Sequence, residues 1–221
     1  MKGLARRGSP LVLVVAKEPI PGRVKTRLCP PCTPEEAAEV AAAALADTLE
    51  AVAACRASRR VIALDGAPGP WLPPGFEVIP QRGNGLAERL ANAWADANGD
   101  GIQIGMDTPQ VGPDALDDLL GAVAPGHAVL GPAVDGGWWV IGLAGADPHR
   151  VFTGVPMSTA ATGSRQRQRL RALGLAVHTA PLRRDIDSFQ DLCAVAAAAP
   201  ATRTAAVARS LQLEASGKDV A

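Results

Sequence analysis

The chain contains no tyrosine, and aromatic residues fill only 3% of its 221 positions. Histidine is limited to three residues and cysteine to four, and neither sign of charge is in excess: 22 lysines and arginines face 22 aspartates and glutamates. Several of these shortages exclude a class of function. A nucleic-acid binder needs a basic surplus to neutralise phosphates, so no nucleic-acid partner is expected. His127, His149 and His178 share no metal-binding spacing and are read as structural. The missing tyrosine goes with an abundance of alanine, glycine and proline, a bias toward small residues with little functional content.

Cys29-Pro-Pro-Cys32 has CxxC spacing, but no second CxxC and no histidine pair completes a zinc site. It lies in a proline-rich loop one turn before a helix, whereas redox motifs open a helix directly after a strand. Packing cysteines are the expectation. Long apolar runs are also missing. Leu11–Ala16 is far too short for a bilayer, and the stretch after the basic start Met1–Arg7 is cut off by Lys17 and Glu18 with no small-residue cleavage site. A cytoplasmic protein without membrane insertion is expected.

The apolar residues, 48% of the chain, suffice for one sizeable core, and the length suits one α/β domain. Leu11–Ala16 reads as a strand buried on both faces. Thr33, Pro34 and Glu36 form a helix start with a capping box, followed by one apolar face from Ala37 to Val52. Further strands are expected at Val61–Leu64, Phe76–Ile79, Gly101–Gly105, Ala128–Gly131, Trp138–Leu143 and Leu175–Ala180. Helices are expected around Leu86–Trp94, from Pro113, over Ser164–Leu173 and after a Ser188 cap. This alternation predicts a mostly parallel sheet with helices on both faces. The expected organisation is an extension over residues 1–10, one domain over 11–214 and a disordered tail over 215–221.

In such sheets ligands sit beyond the carboxyl ends of the strands. The loop after the first strand carries Lys17, Arg23, Lys25 and Arg27, with Gly22 between them. It is neither a Walker loop nor a dinucleotide fingerprint. Four cations there would repel one another without an anion between them, and phosphate fits, Lys25 as a point charge and Arg27 as a bidentate grip; an ordinary solvated basic loop is the alternative. Asp107, in Gly105-Met-Asp-Thr-Pro-Gln110, follows a mid-chain strand, where it can hold magnesium or merely organise the turn. Asp185 and Asp187 alternate along an extended segment and can face one cation. Gly85 opens a helix from a loop able to approach a base or phosphate. Asp135-Gly136-Gly137 joins two strands as a tight turn or as the floor of a polar ligand site.

Taken in order, Ala16–Leu28, Gly85–Arg89, Gly105–Gln110, Leu130–Gly137, Ser158-Thr159 and Asp185–Ser188 resemble a little-characterised bacterial family of GT-A, or nucleotide-diphospho-sugar transferase, fold, commonly labelled glycosyltransferases. More distantly the layout is similar to 2-phospholactate guanylyltransferases and molybdenum-cofactor nucleotidyltransferases. The resemblance implies phosphate binding by Gly22, Arg23, Lys25, Arg27 and Gly85, with Lys25 and Asp107 catalytic. It implies Mg2+ or Mn2+ on Asp107, Asp185 and Asp187, and substrate contacts from Asp135, Gly136, Gly137, Ser158 and Thr159. The Asp-x-Asp pair of many glycosyltransferases is absent at Asp107. The implied reaction is metal-dependent transfer at a nucleotide-diphosphate linkage, from a nucleotide sugar to a small-molecule acceptor. Nucleotidyl transfer from a nucleoside triphosphate to a phosphorylated acceptor is the first alternative, and non-catalytic nucleotide binding the second.

Overall fold

The structure is a computed structural model in which residues 10–218 are described. Residues 1–9 and 219–221, most of the expected extension and the end of the expected tail, lie outside the described residues. The strands are β1 (Leu11–Lys17), β2 (Arg59–Asp65), β3 (Glu77–Pro80), β4 (Gly101–Gly105), β5 (His127–Pro132), β6 (Trp138–Leu143) and β7 (Ala176–Thr179). They form one sheet in the order β3-β2-β1-β4-β6-β5-β7. All pairings are parallel except those of β6, which runs antiparallel to β4 and β5.

Among the described residues seven helices accompany the sheet: α1 (Pro34–Ala54), α2 (Leu86–Ala97), α3 (Pro113–Gly121), α4 (Pro148–Phe152), α5 (Thr162–Ala172), α6 (Phe189–Ala198) and α7 (Arg203–Lys218). The expected capping box of Thr33 with Glu36 is present, and the expected Ser188 cap forms a second one with Asp191, so backbone donors at the starts of α1 and α6 are satisfied locally. The short α4 escaped the periodicity reading because five residues are too few to show a helical repeat.

β1 shows why its run is continuously apolar. Val12, Val14 and Ala16 pack with α1 and α3, while Leu11 and Leu13 pack on the other face with α2, α4 and α5. Each such fully buried aliphatic side chain contributes about 2 kcal/mol of transfer free energy. A third cluster joins the outer side of α1 to α6 and α7 and includes Leu28, Cys32 and Ile186. Cys32 is therefore a packing residue; burial and the nearby Glu36 push its thiol up to about 11, which keeps it protonated and unreactive. All four cysteines are free.

Two features of the sheet shape the site. Chain direction across the sheet reverses between β1, from which β2 and β3 build outward, and β4, the first strand on the other side. The crevice at this switch point opens beyond the ends of β1 and β4. Secondly, the β5–β6 ladder slips between Gly131 and Pro132, so that Val140 pairs with Gly131 but Trp138 with Pro132. The extra residue, Trp139, turns toward the α1 layer and donates its indole N–H to the Pro181 carbonyl at 2.9 Å. Trp138 is thereby re-aimed to the opposite layer, beside Ile141 and Phe152.

Candidate active site

A cleft of about 830 Å³ opens at the switch point. Among the residues marked in the sequence, Arg23, Lys25, Arg27, Gly85, Asp107, Asp135, Gly137, Ser158, Thr159, Asp185 and Asp187 line it, and Gly22 and Gly136 do not.

The β1–α1 loop leaves β1 through Glu18, whose carboxylate accepts the Ala67 N–H at 2.8 Å and pins the loop to the end of β2. Lys25 then adopts the left-handed conformation, φ 48°, at the head of a short 3-10 turn over Thr26–Leu28. That conformation costs a non-glycine residue about 1–2 kcal/mol and is held here by the side chain. The Lys25 Nζ lies 2.6 Å from Asp107 Oδ1 and donates to the Ile186 carbonyl, with only 8% of its side chain exposed. Arg27 bonds Asp187 Oδ2 at 2.8 Å and stays largely in solvent. The anions that relieve the repulsion between Lys25 and Arg27 thus include the protein's own aspartates.

The acids converge from three loops. Ile186, fully buried, points into the third core cluster and leaves its neighbours Asp185 and Asp187 facing the cleft, as the alternation along an extended segment predicts. The segment is tied down on both sides. The Ile186 N–H donates to the Asp107 carbonyl at 3.0 Å, and the Val134 N–H donates to the Arg183 carbonyl at 3.0 Å. Carboxylate oxygens of Asp135, Asp185 and Asp187 all lie within 4.8 Å of one another. Burial, with the charges of Asp135, Asp187 and Asp107 adding to it, pushes the Asp185 carboxyl up to about 6.

The structure therefore groups Asp185 and Asp187 with Asp135, marked in the sequence as a substrate contact. Asp107 faces the same cleft as the partner of Lys25. A hard divalent cation takes carboxylate oxygens and tolerates such crowding, so the donor set suits Mg2+ or Mn2+.

Residues 37–159, more than half of the chain, match the family described as uncharacterized proteins conserved in bacteria, DUF2064. The chain belongs to this family. The matched stretch includes Gly85, Asp107, Asp135, Ser158 and Thr159, and leaves Lys25, Arg27, Asp185 and Asp187 outside it. None of the curated proteins matches the chain. Among solved structures, a candidate nucleotide-diphospho-sugar transferase from Desulfovibrio desulfuricans G20 superposes with a TM-score of 0.80 at 26% identity, covering 93% of this chain and 96% of its own. The likeness to CMP:2-keto-3-deoxy-manno-octonic acid synthetase complexed with CTP covers 86% of this chain and 98% of that one at 14% identity, TM-score 0.50. A nucleotidyl transferase from Methanothermobacter thermautotroptrophicus covers 85% and 96% at 13% identity, TM-score 0.56. The last two share the fold alone. The fold of this DUF2064 member is that of nucleotide-diphospho-sugar transferases.

Within the DUF2064 stretch the two glycines after Asp135 do different work. Gly137 donates its N–H to Asp135 Oδ1 at 2.7 Å and lines the cleft. Gly136 closes the turn on the far side: it has φ 88°, and a Cβ there would lie 2.2 Å from the Ala160 carbonyl oxygen. Gly22, φ 75°, is likewise a turn residue, in open space away from the cleft. Ser158 also takes a positive φ, 57°, and Thr159 hydrogen-bonds Thr162 at the start of α5. Gly136→Ala is expected to cost about 2 kcal/mol or more, from backbone strain and overpacking together. Thermal denaturation checks this, and a melting temperature equal to wild type would mean the turn is not held as described.

Gln81 and Gln103 are cleft residues to which no sequence motif points. Gln81 donates from Nε2 to the Ala16 carbonyl at 2.8 Å and the Ala63 carbonyl at 3.0 Å, closing the ends of β1 and β2. Gln103 sits in β4 at 2% exposure. A glutamine inside the apolar run Gly101–Gly105 was the available signal, since buried polar residues are the informative exceptions in a core strand. No helix among the described residues is long and apolar enough to cross a membrane.

Proposed function

We propose that the protein is a metal-dependent transferase acting at a nucleotide-diphosphate linkage, with a nucleotide sugar as donor and a small molecule as acceptor. One observation carries this reading. Five cations, Lys17, Arg23, Lys25, Arg27 and Arg89, and four acids, Asp107, Asp135, Asp185 and Asp187, line one cleft at the switch point of a nucleotide-diphospho-sugar transferase fold. A metal-bound diphosphate brings both signs of charge, and can exchange partners with such a set without leaving an ion unpaired. The name carried by the Desulfovibrio protein supports the donor class.

Asp135, Asp185 and Asp187 would hold Mg2+ or Mn2+, which supplies positive charge against the departing diphosphate. Lys25 is a buried, pre-aimed cation for a phosphate oxygen, and Arg27 offers a mobile guanidinium. Asp107 keeps Lys25 in place and adds its own charge to the acidic side. Gly85 heads α2 with φ 93° and nothing within 4 Å of its would-be Cβ, which leaves backbone room for a ligand. No covalent enzyme intermediate is needed, because positioning and charge complementarity suffice.

Nucleotidyl transfer from a nucleoside triphosphate is the second reading, favoured by the single aspartate at Asp107 in place of an Asp-x-Asp pair. A thermal-shift panel of nucleotide sugars and nucleoside triphosphates, with and without manganese, separates the two. Manganese-dependent stabilisation by nucleotide sugars is expected. Stabilisation by triphosphates alone selects the second reading, and no shift with either overturns both.

A further inference from the structure

The cleft has a floor that the metal and phosphate groups leave unused. Gln103 lies at the centre of the sheet, in register with Leu13 on β1 and Ile141 on β6, both fully buried. Its Oε1 is buried and has no hydrogen-bond partner, although the side chain lines the cleft. A buried acceptor without a partner is unfavourable, so the sheet tolerates a polar group that leucine would replace more cheaply. Trp138 lines the same cleft, turned to this face by the β6 bulge, and its indole Nε1 is also buried and unpartnered.

The space above Gln103 is open by construction. The next residue of β4 on this face is Gly105, where a Cβ would meet nothing closer than the Asp107 N–H nitrogen at 3.9 Å. Val15, Leu90 and Met157, packed in the same cluster as Trp138, supply apolar walls. The cations lining the cleft come from the end of β1, the loop after it and α2; β4 and β6 contribute none.

We propose that Gln103 and Trp138 form the recognition subsite for the acceptor, and that the acceptor presents an uncharged, hydroxyl-bearing group to it. The indole N–H can only donate, and the amide oxygen can only accept. A hydroxyl does both, so neighbouring hydroxyls of a polyol or sugar ring can satisfy the two orphan atoms. A phosphate or carboxylate would be brought onto an apolar floor with no cation from β4 or β6 to compensate its desolvation. This inference rests on the transferase reading and narrows its acceptor.

The test uses Gln103→Leu, which keeps nearly the same bulk, and Trp138→Phe, which keeps an aromatic ring while removing the indole N–H. Nucleotide-sugar binding with manganese is measured first by calorimetry on the wild type. Ligand-observed NMR then follows methyl glycosides and myo-inositol as neutral hydroxylated probes, with glycerol 3-phosphate and 3-phosphoglycerate as charged ones. Neutral probes should bind the nucleotide-loaded wild type and lose about 10-fold or more in affinity with either variant. Nucleotide-sugar affinity should stay within about 2-fold, and Gln103→Leu should melt higher than wild type. Preference for the charged probes, or unchanged neutral binding in both variants, overturns the proposal. So does loss of nucleotide affinity in the variants, which would assign the floor to the donor. Absence of nucleotide binding by the wild type is a different outcome: it rejects the transferase reading itself.

Discussion

Asp185→Asn should yield a protein that, without metal, is more heat-stable than wild type at neutral pH and gains nothing from manganese. Asp185 is the most crowded acid of the cleft, with its carboxyl held near 6 by burial and by Asp135, Asp187 and Asp107. Between the ordinary carboxylate value and about 6, the folded protein holds this proton more tightly than the unfolded chain does. Its contribution to stability is therefore complete at acid pH and is lost as pH rises through about 6. At neutral pH wild type folds with the repulsion in place; asparagine removes both the repulsion and the pH slope. A bound divalent cation relieves the same repulsion, so wild type should be stabilised by manganese and the variant should not.

Melting temperatures with and without manganese, at about pH 5 and about pH 7.5, read all three effects. An equal manganese shift in both proteins would remove Asp185 from the metal site. Asp135→Asn is the informative companion, because the structure places Asp135 in the acidic group and the sequence did not.

Lys25→Ala should lower the affinity for nucleotide sugars by about 10-fold to 100-fold and leave nucleoside affinity unchanged. Its side chain is only 8% exposed and its ammonium is already aimed by Asp107 and the Ile186 carbonyl, so little ordering is left to do when a phosphate binds. Two effects must be separated, since Lys25 also carries a left-handed backbone. Lys25→Gly relieves that strain while deleting the same charge, so it should be the more stable of the two variants by about 1 kcal/mol and bind equally weakly. Calorimetry with a nucleotide sugar and with the parent nucleoside is the measurement. Equal losses for both ligands would show that Lys25 shapes the loop and does not meet phosphate.

How far the site could be read beforehand depended on the kind of residue. Lys25, Arg27 and Asp107 stand in loops that directly follow strands, so a linear pattern located them. Asp185 and Asp187 followed from alternation around an apolar residue, and Ile186 is indeed the buried pivot. Asp135 could not be grouped with them, because its nearness depends on the bridge between Ala133 and Arg183, a tertiary pairing across 50 positions, 183 less 133. Gly22 and Gly136 both take a positive φ and do not line the cleft, although Gly136 was read as either a tight turn or a ligand floor. A positive φ is equally useful for approaching a phosphate and for clearing a carbonyl, and the string of letters does not say which.

The sequence by itself determined the class of fold, most strand and helix positions, and the presence of acids and cations in loops at strand ends. Those depend on periodicity, capping and turn chemistry, which are local. Only the tertiary structure decided that Lys25 and Arg27 are already paired with Asp107 and Asp187 and that Asp135 joins the acidic group. It also decided that an orphan glutamine lies under the cleft. Those depend on strand order, a one-residue bulge at Trp139 and the missing side chain of Gly105, none of which acts until distant segments pack together.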